Sequence, residues 1–87
     1  MQRDEFFPLA ASFLSEKTGI PADAFRPGSD LVKEGLVDSM AFMQLIDFVE
    51  AAIGARLDTE NFSLERFSTL EKIHANFIAA AVAGGRP

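Results

Sequence analysis

Ser39 stands directly after Asp38 and ahead of an amphipathic run that reaches Ile53, which puts a hydroxyl at the start of a helix. With Asp38 as the N-cap, its carboxylate accepts an orphan backbone N–H of the first turn, and Ser39 takes the first helical position with its hydroxyl outward. The free N–H groups and the positive end of the helix dipole favour an anion there, so the chemistry on offer is the carrying of a phosphate ester. A capped surface helix with no chemistry is the plainer reading of the same residues. Elsewhere no nucleophile, acid and base converge. His74 is the only histidine and is expected as a half-buried packing residue, while the absence of cysteine removes disulfides and thiolate metal sites, so a structural metal is not expected.

The helix that presents Ser39 has two faces. At about 100° per residue, Phe42, Leu45, Ile46, Val49, Ala52 and Ile53 fall on one side as core. Ser39, Met40, Met43, Asp47 and Glu50 gather on the other. Methionine at helical spacing is usually core, yet Met40 and Met43 lie off the aliphatic stripe and beside Ser39, where an adaptable interaction surface uses it.

Around this helix the rest of the chain reads as support. A first helix is expected over about 4–18, with Phe6, Leu9, Ala10 and Phe13 on its apolar stripe. Pro8 should move its start to Glu5 or Phe6, or else kink it, and Gly19 with Pro21 should stop it. Residues 21–37 carry Pro27-Gly28 and Gly35 without a sustained period and read as a long ordered loop. It has a short turn near Ala22-Asp23-Ala24-Phe25 and is pinned by Phe25, Leu31, Leu36 and Val37. Gly54 is the expected C-cap of the central helix, with Arg56 facing its negative end. Residues 61–67 read as a short helical turn anchored by Phe62, Leu64 and Phe67. Ser68 and Glu71 form a capping box for a last helix to about residue 82, carrying Leu70, Ile73, Phe77 and Ala80, and residues 83–87 are a flexible tail. The fold class is therefore all-α: a bundle of three longer helices and one short one, with a long loop between the first and second, in a single domain over 1–87 with its core at about 4–82.

At 87 residues a single core only just offsets conformational entropy, and nine phenylalanines with no Tyr or Trp supply bulk that needs no polar partner. No apolar run is long enough to span a bilayer and no signal peptide is present, so a cytoplasmic monomer without membrane insertion is expected. The net charge of −5 is uneven. Residues 23–60 hold eight acids against three bases, and residues 34–50 hold Glu34, Asp38, Asp47 and Glu50 with no base at all. That distribution argues against nucleic acid and for a basic protein partner.

The run Gly35-Leu36-Val37-Asp38-Ser39-Met40 resembles the attachment motif of the acyl carrier and peptidyl carrier protein family, and the resemblance extends over about residues 6–82. It implies that a phosphopantetheinyl transferase attaches 4′-phosphopantetheine from coenzyme A to Ser39. The thiol of that arm then holds an acyl or aminoacyl group as a thioester between enzymes. Asp38 takes the family's role of presenting the serine to the transferase and its divalent cation. The helix after the serine is the family's recognition surface, so Met40, Met43, Gln44, Asp47 and Glu50 become the expected partner contacts. The implied function is that of a freestanding carrier and not an enzyme. Its implied partners are the transferase, an adenylating ligase or acyltransferase that loads it, and a downstream condensing or transfer enzyme.

Fatty-acid carriers usually bear glutamates where this chain has Gln44 and Ala51, and the run Val37-Asp38-Ser39-Met40 with Gln44-Leu45 is closer in look to D-alanyl and other discrete aminoacyl carriers. The competing reading is a helical adaptor that binds a partner through its acidic, methionine-bearing face and never receives the arm.

Overall fold

A computed structural model describes residues 2–58 and 64–79, and within them the chain is helical with no strand. The elements run in order as α1 (Arg3–Thr18), a 3-10 turn (Ala22–Ala24), α2 (Ser39–Ile53), a second 3-10 turn (Leu64–Phe67) and α3 (Leu70–Ile73), which continues as a π-helical stretch (His74–Ile78). The all-α bundle is thus present, with the short fourth helix reduced to the Leu64–Phe67 turn.

Helix α1 begins at Arg3 and not at residue 5 or 6, and Pro8 lies inside it. The turn ahead of the proline is already secured: the Gln2 N–H donates to Glu5 Oε1 at 3.1 Å, and the Phe6 N–H donates to the Gln2 carbonyl at 2.8 Å. Pro8 removes a donor for the Asp4 carbonyl only, on an exposed residue that water reaches. The buried stripe is Phe6, Ala10, Ala11 and Leu14. Its centre lies between Ala10 and Leu14, which turns Leu9 about 120° away at 100° per residue, and Leu9 is 52% exposed where the sequence pattern had placed it in the core. Gly19 closes the helix in the left-handed conformation, its N–H on the Ser15 carbonyl.

The core is filled by α1, α2 and α3 together with Phe25, Leu31 and Val37 from the long loop, as expected. Two long-range backbone bonds hold that loop. The Leu31 N–H donates to the Ser68 carbonyl at 2.8 Å, and the Glu71 N–H donates to the Pro27 carbonyl at 2.9 Å. The loop is thereby tied to the junction between the second 3-10 turn and α3, and Gly35 at φ 71° lets it turn back toward α2.

The cap of α3 differs from the expected box by one residue. Thr69 is the N-cap, its side chain accepting the Lys72 N–H at 3.0 Å, while the Ser68 hydroxyl donates backward to the Glu65 carbonyl. Glu71 is spent elsewhere, on an ion pair with Arg3 at 3.1 Å that joins the starts of α1 and α3. The π-helical stretch begins at His74, which is buried between Phe6 and Phe7 with ring centroids 5.6 and 6.0 Å away, deeper than the half-buried place expected of it. The anchors expected at residues 61–67 divide: Phe67 is fully buried, Leu64 is 67% exposed, and Phe62 falls outside the described residues, as do Ala80, Val82 and the tail.

Candidate functional site

Asp38 has the extended backbone of an N-cap, and its Oδ1 accepts the Ala41 N–H at 2.8 Å, so α2 starts where the sequence puts it. Ser39 follows as the first helical residue and is exposed. The chain that leads to it is held in two ways. Val37 is buried immediately before the Asp38 cap, and the N–H groups of Leu36 and Val37 both donate to the Leu31 carbonyl, at 2.9 and 3.1 Å, which fastens the segment leading into the cap. A serine hydroxyl in this setting is held at the surface on a rigid element, beside N–H groups whose dipoles favour a phosphate.

One side of Ser39 opens onto a groove of about 480 Å³ lined by Val32, Val37, Asp38, Ser39, Phe42, Met43 and Leu64. Val32, Phe42 and Leu64 also wall a second hollow of about 440 Å³ that carries on toward Lys33, Ser68 and Lys72. Val32 and Leu64 were not picked out as site residues from the sequence. The signal was present, since both are large apolar residues in segments too short to bury every side chain. Phe42, assigned to the core, is half-buried with its ring edge against Phe67 at 5.5 Å and serves as the floor of this groove.

The outer face of α2 is divided more finely than the sequence suggests. Met40 and Met43 are 70% and 62% exposed, and Asp47 is exposed with them. Gln44 is half-buried and, with Asp47, Phe48 and Ala51 of the same helix, lines a separate hollow against Phe13 and Lys17 of α1. Glu50 is also half-buried, its Oε2 accepting the Leu57 N–H at 2.7 Å. Ser39 and Met43 thus share a groove, Gln44 and Asp47 turn toward α1, and Glu50 is engaged with its own chain. Ala52, expected in the core, is exposed, since the buried stripe runs through Ala41, Leu45, Ile46 and Val49.

Among the described residues no group of acids and histidine is placed to hold a metal ion, and no helix is long and apolar enough to cross a membrane. The residues around Ser39 suit a covalently attached phosphate ester: an exposed hydroxyl, a helix start with its dipole, and an open groove beside them. No curated protein matches the chain. Residues 11–75, well over half of it and including Ser39, match the family described as phosphopantetheine attachment site. Carrier domains of this kind work with a phosphopantetheinyl transferase and with biosynthetic enzymes, and the family is generally non-catalytic. A helical bundle that matches along this length belongs to the phosphopantetheine-attachment family of acyl and peptidyl carriers, whose members bear 4′-phosphopantetheine covalently on a serine.

Proposed function

We propose that Ser39 is the serine that bears 4′-phosphopantetheine, and that the loaded protein is an aminoacyl or acyl carrier charged by an adenylating ligase. The observation that carries the first part is the exposed Ser39 hydroxyl at the first position of α2, directly behind a formed Asp38 cap and inside the matched segment. When bound, the group supplies a terminal thiol on which a carboxylic acid is held as a thioester.

The chain's own residues do the rest. Asp38 fixes the backbone at Ser39 through Oδ1, and its Oδ2, which has no partner among the described residues, remains to meet a cation brought by the transferase. Val37, buried just before the cap, holds the approach so that the hydroxyl stays outward. Met40 and Met43 offer an apolar contact to partners beside the attachment point.

The nature of the cargo rests on charge. A neutral Gln44 and an apolar Ala51 leave the outer face of α2 poor in acids, which weakens steering toward the basic patches of fatty-acid enzymes and suits a partner that docks by shape and burial. The test begins with intact mass and thiol titration after incubation with coenzyme A, a divalent cation and a broad-specificity phosphopantetheinyl transferase. Because the chain has no cysteine, any thiol comes from the attached group. The expected result is one thiol per chain in the wild type and none in Ser39→Ala. No gain in mass or thiol in the wild type leaves the unmodified adaptor as the answer. The modified protein is then offered to an adenylating ligase from its genomic neighbourhood and to a malonyl transferase. ATP-dependent loading by the first supports the aminoacyl assignment, and efficient loading by the second alone overturns it.

A further inference from the structure

The groove beside Ser39 ends on a ring. Phe42 stands three residues beyond the serine on α2, so the two side chains are neighbours on the helix surface. It also marks the edge of the buried stripe, next to Ala41 and one turn before Leu45 and Ile46, all three of them buried. On its outer side the half-buried ring lines both hollows, of about 480 and 440 Å³, and on its inner side it packs against the core. Behind it the Phe67 ring lies at 5.5 Å, and Phe77 lies 5.2 Å beyond that. Three rings in series stand between Ser39 and the inside of the bundle.

What remains for a group attached at Ser39 is the surface. Val32 and Leu64, which wall the groove with Phe42, are 57% and 67% exposed, so an apolar chain laid there keeps one side in water. Burial stabilises a long chain methylene by methylene, and an open groove with a closed floor gives little of it. The α-ammonium of an aminoacyl thioester has the opposite need, since a charge withdrawn from water without a partner is costly. A shallow groove leaves it hydrated.

We propose that Phe42 is a specificity-determining residue: its ring bars the core to whatever is carried on Ser39, so the protein takes short, polar cargo such as an aminoacyl group at its surface and gives a long fatty-acyl chain no internal cover. This rests on the carrier reading above and narrows its cargo. Removing the ring joins the groove to a space against the buried Phe67, and apolar cavities opened in a core stay dry and take apolar ligands.

The test attaches cargo of two lengths, from acetyl- and octanoyl-coenzyme A, with a divalent cation and a broad-specificity phosphopantetheinyl transferase. It reads the melting temperature and the rate at which hydroxylamine cleaves the thioester, each rate taken relative to that of the same free acyl-coenzyme A. In the wild type the two forms should melt together and cleave within about twofold of each other, since neither is covered. In Phe42→Ala, and to a lesser degree in Phe42→Val, the octanoyl form should melt above the acetyl form and cleave on the order of fivefold or more slowly, because the reagent reaches it only while the chain is out of the core. Met43→Ala, which widens the groove and leaves the ring in place, should keep the wild-type pattern. Phe42→Val carries the comparison if Phe42→Ala does not fold. A length dependence in the wild type as large as in the Phe42 variants, none in those variants, or the same gain in Met43→Ala overturns the role of the ring while the carrier reading stands. A wild-type chain that accepts no arm overturns the carrier reading and the role of Phe42 with it.

Discussion

Phe42 and Phe67 meet edge to face, yet they occupy different environments: Phe67 is fully buried and also packs on Phe77, whereas Phe42 is half-buried and floors the groove beside Ser39. Removing the Phe67 ring therefore opens a closed cavity, and Phe67→Ala should cost about 3–5 kcal/mol in urea unfolding. Phe42→Ala should cost clearly less, since one side of that ring already faces the groove. Met40→Ala, on an exposed side chain, should stay within about 0.5 kcal/mol of wild type. Equal losses at Met40 and Phe67 would mean that α2 is rotated differently. The periodicity of α2 was enough to assign Leu45, Ile46 and Val49 to the core and both methionines to the surface. It could not tell Phe42 from its neighbours, because an aromatic ring on the border of an apolar face is buried or not according to what another segment lays over it.

At the scale of elements, start and stop signals were the most legible part of the chain. Asp38, Gly19 and Gly54 all cap where their residue types say they should, since a short carboxylate and a glycine with free backbone satisfy helix ends locally. The start of α3 was misjudged by one residue because Ser68 and Thr69 are both competent caps. Tertiary contacts chose between them. The Ser68 carbonyl is used by Leu31, and Glu71 is drawn away to Arg3, so the reciprocal box has lost its second half. Thr69→Ala should accordingly destabilise the protein by about 1 kcal/mol, with Ser68→Ala costing less, as read from paired thermal melts. In α1, Pro8 pointed either to a later start or to a kinked entry; the helix starts at Arg3, where the bonds to Gln2 secure the turn ahead of the proline.

Across the whole molecule, residues far apart in sequence meet at the surface as well as in the core. Arg3 pairs with Glu71 and lies over the Phe7 ring at 5.0 Å, with both ion-pair side chains about half exposed. A double-mutant cycle at Arg3 and Glu71 should give a coupling of about 0–1 kcal/mol that shrinks as salt is added. A larger coupling that resists salt would mean that the pair is shielded. No sequence pattern announces such pairs, and the groove at Ser39 was hidden for the same reason: Val32, Phe42 and Leu64 come from three separate segments. The serine itself and its cap were legible because both are neighbours in the chain.

The two backbone bonds that fasten the long loop, Leu31 to Ser68 and Pro27 to Glu71, also impose a schedule. Each joins residues roughly forty positions apart, so the cost of closing that span is met before either bond can form. Helices α1 and α2 have both been made, and can meet through Phe6, Phe13 and Phe48, before residues 68–71 exist, whereas the loop is secured only once those residues have been made and docked. During synthesis, then, Ser39 leaves the ribosome well ahead of the contacts that finish its surroundings, and the site matures in time with the arrival of α3.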